Sequence, residues 1–431
     1  MTVNLPTPAW PVRREPMPLS AAQALVENEV RSILPAARPS QEVCGLEAAA
    51  GRVLADVIAT DRDQPPFDRS TRDGYAVRAE DVGRGASLRV VGQRRAGQAI
   101  EQPLRVGPGQ AVEIMTGAPL PEGADAVLMV EHVRASEEDA SAIEPETGRT
   151  LKPGDNVVAA GSEARRGATV LSAGQRLQAP QIAMAAACGR SSVAVHARPR
   201  VATLTTGDEL VAPGGKPPEA HQIYDSNSAA LRALLGEAGA AVAWSGHAAD
   251  DRTSLRDGLV RGLSEARLLV VTGGVSAGRF DLVHRVLADL GAEIVFAGVR
   301  MQPGKPAMLA RLPANGTSGS RWILGLPGNP VSAMVTFRLF GAPLVAALAG
   351  DTGWQPPLAL ARLRGTLRAL PALTRFIPGR IVPSNGEPEF HPISHRGSGD
   401  VAANARANGY AIVPESDATL EDGALVTVLL A

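Results

Sequence analysis

The chain has 431 residues, of which 45% are apolar and 20% charged, and its formal net charge is −1. That length suits about three domains of ~150 residues each. The composition is that of an ordinary globular protein, and the near-neutral charge argues against nucleic acid as the main partner. Aromatic residues make up only 3%, so the cores must be built from alanine, valine and leucine. Two cysteines, Cys44 and Cys188, make no disulfide framework and read as the reduced thiols of a cytoplasmic protein. The first residues lack the basic start and apolar core of a signal peptide. The longest apolar region, 331–350, is interrupted by Arg338 and Pro343, which argues against a membrane span. Seven histidines without a pair at zinc-ligand spacing argue against a histidine metal site.

In chain order, residues 18–50 read as helix, with Ser20 as a candidate N-cap. Residues 51–150 change character: β-prone pieces at 87–91, 111–115 and 126–130 alternate with glycine and proline turns, which predicts a β-rich module. Residues 151–180, punctuated by Gly154, Gly161 and Gly167, read as an extended connector that returns to the first helices. From about 196 the pattern alternates. Strands are expected at 201–205, 242–246, 268–272, 294–299 and 322–326, and helices at 228–239, 254–266, 281–290 and 330–348. That alternation predicts a parallel sheet covered on both faces, with ligands beyond the carboxyl ends of its strands. Residues 349–431 return to strands and turns, ending in a strand at 424–430, and suggest a small barrel.

Polar and glycine motifs sit at those strand ends. Thr206-Gly207-Asp208-Glu209 follows the first strand, Tyr224-Asp225-Ser226-Asn227 opens the next element, and Asp250-Asp251 follows the second strand. The third strand runs into Gly273-Gly274-Val275-Ser276-Ala277-Gly278, with Asp281 just beyond. A strand, a glycine loop and a helix start present backbone N–H groups to an anion. The loop lacks the lysine of a Walker motif and the glycine spacing of a dinucleotide fingerprint. Pro303-Gly304-Lys305-Pro306 places a fixed positive charge on a stiff loop, and Pro327-Gly328-Asn329-Pro330 precedes a helix. Carboxylates on such a rim suit Mg²⁺, which prefers oxygen ligands and phosphate co-ligands. Each motif also has an ordinary structural reading: Asp208 as a turn cap, Asp225 or Asn227 as a helix N-cap, Asp250-Asp251 as a solvated loop, Lys305 as a surface lysine, and the glycine loop as a plain strand–helix connection.

Taken together the motifs resemble one family. Pro65-Pro66-Phe67-Asp68-Arg69-Ser70-Thr71-Arg72-Asp73-Gly74-Tyr75-Ala76-Val77 is similar to a signature of the molybdopterin molybdenumtransferases, the gephyrin E-domain type. The match continues through Met115-Thr116-Gly117-Ala118-Pro119, Thr206-Gly207-Asp208-Glu209-Leu210, Tyr224-Asp225-Ser226-Asn227 and Gly273-Gly274-Val275-Ser276. It ends with Pro303-Gly304-Lys305-Pro306, Gly328-Asn329-Pro330 and Gly397-Ser398-Gly399. The resemblance spans nearly the whole chain, in order. It implies a multidomain α/β protein with a discontinuous N-terminal subdomain (17–50 and 151–180), an inserted β-rich module (51–150), an α/β domain with a mainly parallel sheet (181–345) and a C-terminal β-barrel (346–431). The implied reaction inserts molybdenum into adenylylated molybdopterin, using molybdate and Mg²⁺ and releasing AMP. The implied assembly is an elongated homodimer whose site is shared between subunits, supplied by a molybdopterin adenylyltransferase.

Carried over residue by residue, Asp73 would come from the inserted module. Glu209, Asp225, Asp250 and Asp281 would form the carboxylate side, with Glu209 and Asp281 nearest the metal. Lys305 and Ser398 would hold molybdate. Thr206, Gly207, Asp208, Gly273, Gly274, Ser276, Gly278, Pro306, Pro327, Gly328 and Asn329 would cradle the pterin phosphate and nucleotide. The sequence departs from the family pattern at Gln302, where a lysine or arginine is usual, and at Glu163, where an aspartate is. It departs again at Arg375-Phe376-Ile377-Pro378, whose final arginine is lost or displaced to Arg380, and at Ala402 and Ala403. A scaffold, an adenylyl-transfer enzyme and a paralogue that binds the cofactor without inserting metal are the competing readings. The retained Asp73, Glu209, Asp281 and Lys305 favour the molybdenum transferase.

Overall fold

The computed structural model describes residues 15–36, 39–97, 103–137, 139–275, 282–314 and 319–431. Its central sheet has six strands in the order Ala241–Ala248, Arg200–Thr206, Leu268–Thr272, Arg321–Leu326, Met308–Leu312 and Glu293–Ala297. The first four are parallel; the last two join antiparallel. The strand Met308–Leu312 has no counterpart in the sequence reading. It runs antiparallel because its flanking connections are short, and a parallel return needs a crossover of a dozen residues or more.

The inner strands are mostly apolar, with threonines buried among them, as suits a sheet buried on both faces. Alternate residues feed two cores. Leu268, Val270, Leu324 and Leu326 pack with Leu231 and Leu235 of the helix Ser226–Glu237 and with Val335, Phe340 and Leu344 of the long helix. Leu269, Val271 and Ile323 pack on the other face with Leu255 and Leu259 of the helix Arg252–Glu265 and Val283 and Val286 of the helix Leu282–Asp289. The apolar stretch Pro330–Leu348, long enough on paper to cross a membrane, is mostly buried within this fold. It is a composite helix with a π segment at Phe337–Gly341, just ahead of Pro343, which has no N–H for the regular ladder.

The first helix runs Leu19–Ala36, shorter than the 18–50 expected. Proline disfavours helix in the residue before it, and Pro39 lies just ahead of a β-prone stretch. Beyond it Gln41–Gly45 is a strand, paired antiparallel with Ser192–His196. Ser20 lies in the first turn rather than at the cap, since the Ala22 N–H already bonds the Pro18 carbonyl. Ala22, Val26 and Ile33 join the core of the α/β sheet. Buried Glu29 accepts the Trp322 indole N–H at 2.9 Å and a bond from Arg311 at 3.4 Å.

Residues in the 51–150 stretch build a second six-stranded sheet, in the order Ala126–Met129, Gly74–Val77, Gln110–Ile114, Leu88–Arg94, Ala142–Pro145 and Val133–Ala135. The connector carries two short strands, Val157–Val158 against Arg69–Ser70 and Thr169–Leu171 against Ile58–Ala59, and then the helix Ala179–Ala187. Cys44 and Cys188 are free thiols.

The C-terminal region is a closed five-stranded barrel, as expected. Thr374–Val382 pairs with both Glu389–Pro392 and Gly409–Val413, and Leu358–Leu363 and Leu425–Leu430 complete the ring. Gly379 is needed there because a Cβ would stand 2.2 Å from the Phe390 ring. A parallel bridge from Met301–Gln302 to Thr374–Arg375 ties the barrel to the α/β sheet.

Glu29→Ala leaves a buried indole N–H without its acceptor and should cost about 1–3 kcal/mol of stability, read as a lower unfolding midpoint in urea. Glu29→Gln keeps an acceptor and should recover most of the loss.

Candidate functional site

The carboxyl ends of the parallel strands form a rim. Thr206, the last residue of its strand, leads into Gly207-Asp208-Glu209. Gly273 crosses directly over that strand end: a Cβ there would stand 2.6 Å from the Thr206 carbonyl oxygen, and its φ is +86°, so only glycine fits. Gly274, also left-handed, lies against the Thr206 hydroxyl, and Gly328 lies against the Gly273 Cα. The three glycines therefore bring three strand ends into contact.

Among the described residues, three buried polar atoms at this rim have no hydrogen-bond partner: Thr206 Oγ1, Thr272 Oγ1 and Asn227 Oδ1. Buried polar atoms in folded proteins are nearly always partnered. Three orphans at one set of strand ends mark a place built to meet a polar ligand or its water. Asn227 is held in place by its other amide atom, which donates to the Gly328 carbonyl at 2.7 Å.

The carboxylates divide by role. Asp225 is 8% exposed and caps the helix Ser226–Glu237, accepting from the Ser228 backbone N–H and from the Thr205 hydroxyl. Of its two readings the structure gives it the cap. Asp208 and Asp250 exchange backbone-to-carboxylate bonds, at 3.1 Å from the Asp250 N–H and 3.4 Å from the Asp208 N–H. These bonds hold the two acids side by side. His247 donates a ring N–H to the Gly207 carbonyl at 2.9 Å. The Glu209 carboxylate folds back over Gly207, where a Cβ would stand 2.4 Å from it. Asp281, Ser276 and Gly278 lie outside the described residues.

Among the described residues no three acids, histidines or cysteines converge on one metal position. Mg²⁺ is commonly bound through one or two carboxylates and completed by substrate phosphates and water. The oxygen-only donor set of Glu209, the Asp208–Asp250 pair and the orphaned threonine hydroxyls fits that ion in its phosphate-bound form.

Beside the rim a cleft of about 320 Å³ opens between the α/β region and the barrel, lined by Lys305, Asn329, Ser332, Arg375, His395 and Ser398, among others. Pro306 and Pro327 are part of its wall. Asn329 donates its side-chain amide to the Ser398 hydroxyl at 2.9 Å, and the Ser398 carbonyl accepts the Val331 N–H. Arg375 donates Nε–H to Gln302 Oε1 at 3.2 Å and a terminal N–H to the Arg368 carbonyl. Burial, and next the neighbouring Arg368 charge, hold the Arg375 pKa below its ordinary value, the mark of a cation short of anions. His395 donates Nδ1–H to the Ile393 carbonyl. Asp400 also lines the cleft, but its carboxylate is occupied by the Ala403 and Arg396 backbone N–H groups, which, in that order, lower its pKa.

Lys305, Pro306, Pro327, Asn329 and Ser398 thus share the cleft, and Thr206, Gly207, Asp208, Glu209, Asp225, Gly273, Gly274 and Gly328 belong to the rim. Gly328 and Asn329 join the two. Asp73 stands apart, on the β-rich module, where Oδ1 accepts from the Thr116 N–H at 2.7 Å and the Thr116 hydroxyl at 2.8 Å. Among the described residues no hydrogen bond connects it to rim or cleft. Glu163 is likewise remote from the cleft lining, paired with Arg69 at 2.9 Å. Sequence reasoning missed Arg375 and His395 as cleft residues. It read the family's arginine as lost or displaced to Arg380, whereas Arg375 is a guanidinium that lines the cleft; the sequence signal was the departures at Gln302 and at 375–378.

An α/β sheet with a glycine-bounded rim at its carboxyl ends, joined through a cleft to a five-stranded barrel, makes this a multidomain α/β protein with a binding site at its strand ends. Family models agree along the chain: the MoeA N-terminal region (domain I and II) over residues 17–189, a probable molybdopterin binding domain over 202–347, and the MoeA C-terminal region (domain IV) over 361–431. A molybdopterin molybdenumtransferase of Nostoc sp. is 37% identical, covering 90% of this chain and 88% of its own. One of Haemophilus influenzae is 32% identical, covering 90% and 94%. The molybdopterin biosynthesis moeA protein of Pyrococcus horikoshii OT3 superposes with a TM-score of 0.73 at 27% identity, covering 97% of this chain and 100% of its own. The chain belongs to the molybdopterin molybdenumtransferase (MoeA) family.

The two Thr116 bonds, backbone first and then hydroxyl, lower the Asp73 pKa. A depressed carboxyl adds stability above the ordinary carboxylate range and loses it as pH falls through the folded pKa. Thr116→Val removes one bond and keeps the other, so the Asp73 carboxyl should titrate closer to its ordinary value, measured by NMR.

Proposed function

We infer that this chain is an enzyme that inserts molybdenum into molybdopterin. Its finer reaction takes adenylylated molybdopterin and molybdate, breaks the phosphoanhydride in the presence of Mg²⁺, and yields molybdenum cofactor and AMP. The observation that carries this reading is the junction at Gly328-Asn329. On one side a glycine-bounded rim presents orphaned polar atoms and paired carboxylates. On the other a cleft presents Lys305 and Arg375. A pterin phosphate and a molybdate dianion repel each other, and this arrangement gives each its own partner groups within one continuous surface.

Lys305 supplies a compact positive charge on a proline-bounded loop, and Arg375 a planar fork whose orientation Gln302 holds. Ser398 and Asn329 offer short donors beside them. Glycines at 273, 274 and 328 let backbone approach a phosphate closely. Glu209 and Asp281 are the residues we assign to Mg²⁺, which when bound would neutralise charge on the phosphoanhydride. The carboxylates orient that region, and the cleft holds molybdate by charge and hydrogen bonds without a covalent step.

Asp73 lies on a module that no described hydrogen bond ties to the rim, which supports a homodimer in which the module of one subunit completes the site of its partner. The substrate arrives from a molybdopterin adenylyltransferase, and the reaction is cytoplasmic.

Molybdate-dependent AMP release is the test. Lys305→Ala and Arg375→Ala should each lower kcat/KM for molybdate by about a hundredfold, the scale of losing one preorganised donor to an oxyanion. Tight binding of the pterin nucleotide without AMP release would sink the enzymatic reading. Mixing Asp73→Ala with Lys305→Ala subunits should restore part of the activity, because a mixed dimer would keep one intact composite site. No restoration on mixing would place the whole site in one subunit.

A further inference from the structure

The opposite end of the same sheet carries a second concentration of charge. Arg200 opens one parallel strand, Arg267 immediately precedes the next, and Arg321 opens the third. The ladder pairs Val201 with Leu268 and Leu268 with Trp322, so the three arginines stand level across three adjacent strands. Neighbouring strands lie roughly 4.8 Å apart, and like charges directly opposite one another destabilise a sheet. Arg198 joins them two residues upstream, and all four arginines line one open pocket of about 360 Å³, together with Ser40, Ser264 and Glu265.

The acid in this pocket is already spent. Glu265 pairs with Arg200 at 3.2 Å and with Arg261 at 2.9 Å, and the Glu265 carbonyl accepts a further Arg200 bond. Arg200 therefore closes the end of the helix Arg252–Glu265, where a cation is favourable. Arg267 stacks on Trp322, 5.3 Å from the ring centroid, and donates to the Ser320 carbonyl. Among the described residues neither Arg198 nor Arg321 has an ion pair. Burial, and next the Arg321 charge, hold the Arg267 pKa below its ordinary value. Arginine forks match phosphate geometry in pairs, and a multiply charged anion here would relieve repulsion that the fold otherwise carries.

The geometry points to a second anion site, separate from the rim and cleft, in which Arg198, Arg267 and Arg321 bind a phosphate-bearing small molecule at the amino-terminal edge of the sheet. It lies at the opposite end of the strands from the Gly328-Asn329 junction, so its occupant need not compete with molybdate.

Calorimetric titration with inorganic pyrophosphate tests it, using full-length protein carrying Lys305→Ala so that the cleft is weakened. Binding should persist in that background and fall by roughly tenfold to a hundredfold, the worth of one or two charge-assisted bonds, on adding Arg198→Gln and Arg321→Gln. Pyrophosphate should also raise the unfolding midpoint of the Lys305→Ala protein, and that rise should vanish in the triple variant. The triple variant should itself be no less stable without ligand, since it removes repulsion; this separates lost binding from lost folding. Parallel titrations with orthophosphate and AMP distinguish a free anion from a phosphate ester as the occupant. Loss of all pyrophosphate binding with Lys305→Ala alone, equal binding by the triple variant, or binding that disappears at about 0.15 M salt, where exposed charges are screened, would each overturn the site.

Discussion

The two-residue parallel bridge between Met301–Gln302 and Thr374–Arg375 is the contact on which the candidate site depends. It works together with the apolar contacts of Phe376, Tyr410 and Leu429, which join the barrel to the α/β core. With it, the loop carrying Lys305 becomes one wall of a cleft and the barrel strand carrying Arg375 becomes the other. The bridge also fixes the partners of Arg375: a residue in ladder register with Gln302 naturally directs its guanidinium to that side chain. A second seam, from Asn329 to Ser398, closes the cleft from a different loop, and Phe376, Tyr410 and Leu429 of the barrel pack into the α/β core between them.

The sheet beneath is built to tolerate this crowding. Its three inner parallel strands are buried on both faces and bring few polar side chains to the cores, Thr203 and Thr205 among them, so most of their polar chemistry is displaced to the ends. At the carboxyl ends the chain must turn within a few residues while adjacent strands remain a ladder spacing apart. Glycine at 273 is the consequence, because any side chain there would meet the Thr206 carbonyl. The same crowding leaves the Thr206 and Thr272 hydroxyls enclosed and, among the described residues, unpaired.

Much of this was legible in the chain. The apolar runs at 268–272 and 322–326 could only be buried strands, and the intervening helices showed their period. The barrel followed from turns and β-prone pieces, and the strand-end motifs are where the rule for open α/β sheets puts them. What escaped has local causes. Met308–Leu312 hid because it follows a proline-rich loop and is too short to show alternation. The helix from 19 stopped early because prolines outweigh the helical pattern beyond Ala36. Arg375 escaped because its place depends on pairing with residues some seventy positions earlier, which no local pattern records. Asp225 was named both for chemistry and as a cap; the structure shows it capping a helix start, and nothing in its own neighbourhood of sequence separates those two roles.

A net charge of −1 conceals how unevenly the charges are spread over one sheet. Acids gather at the rim, two cations stand in the cleft beside it, and four arginines gather at the far edge around one acid that is already paired. Surface charges scattered for solubility would not stand in lateral register, nor leave a half-buried guanidinium against its own kind. Segregation of this sort costs self-repulsion in the free protein, and that cost falls when ligands of opposite charge arrive. At the cationic cleft and far edge, mild electrostatic strain in the free protein makes a fold that becomes more stable as anions fill those surfaces, which couples occupancy to rigidity without requiring a moving part.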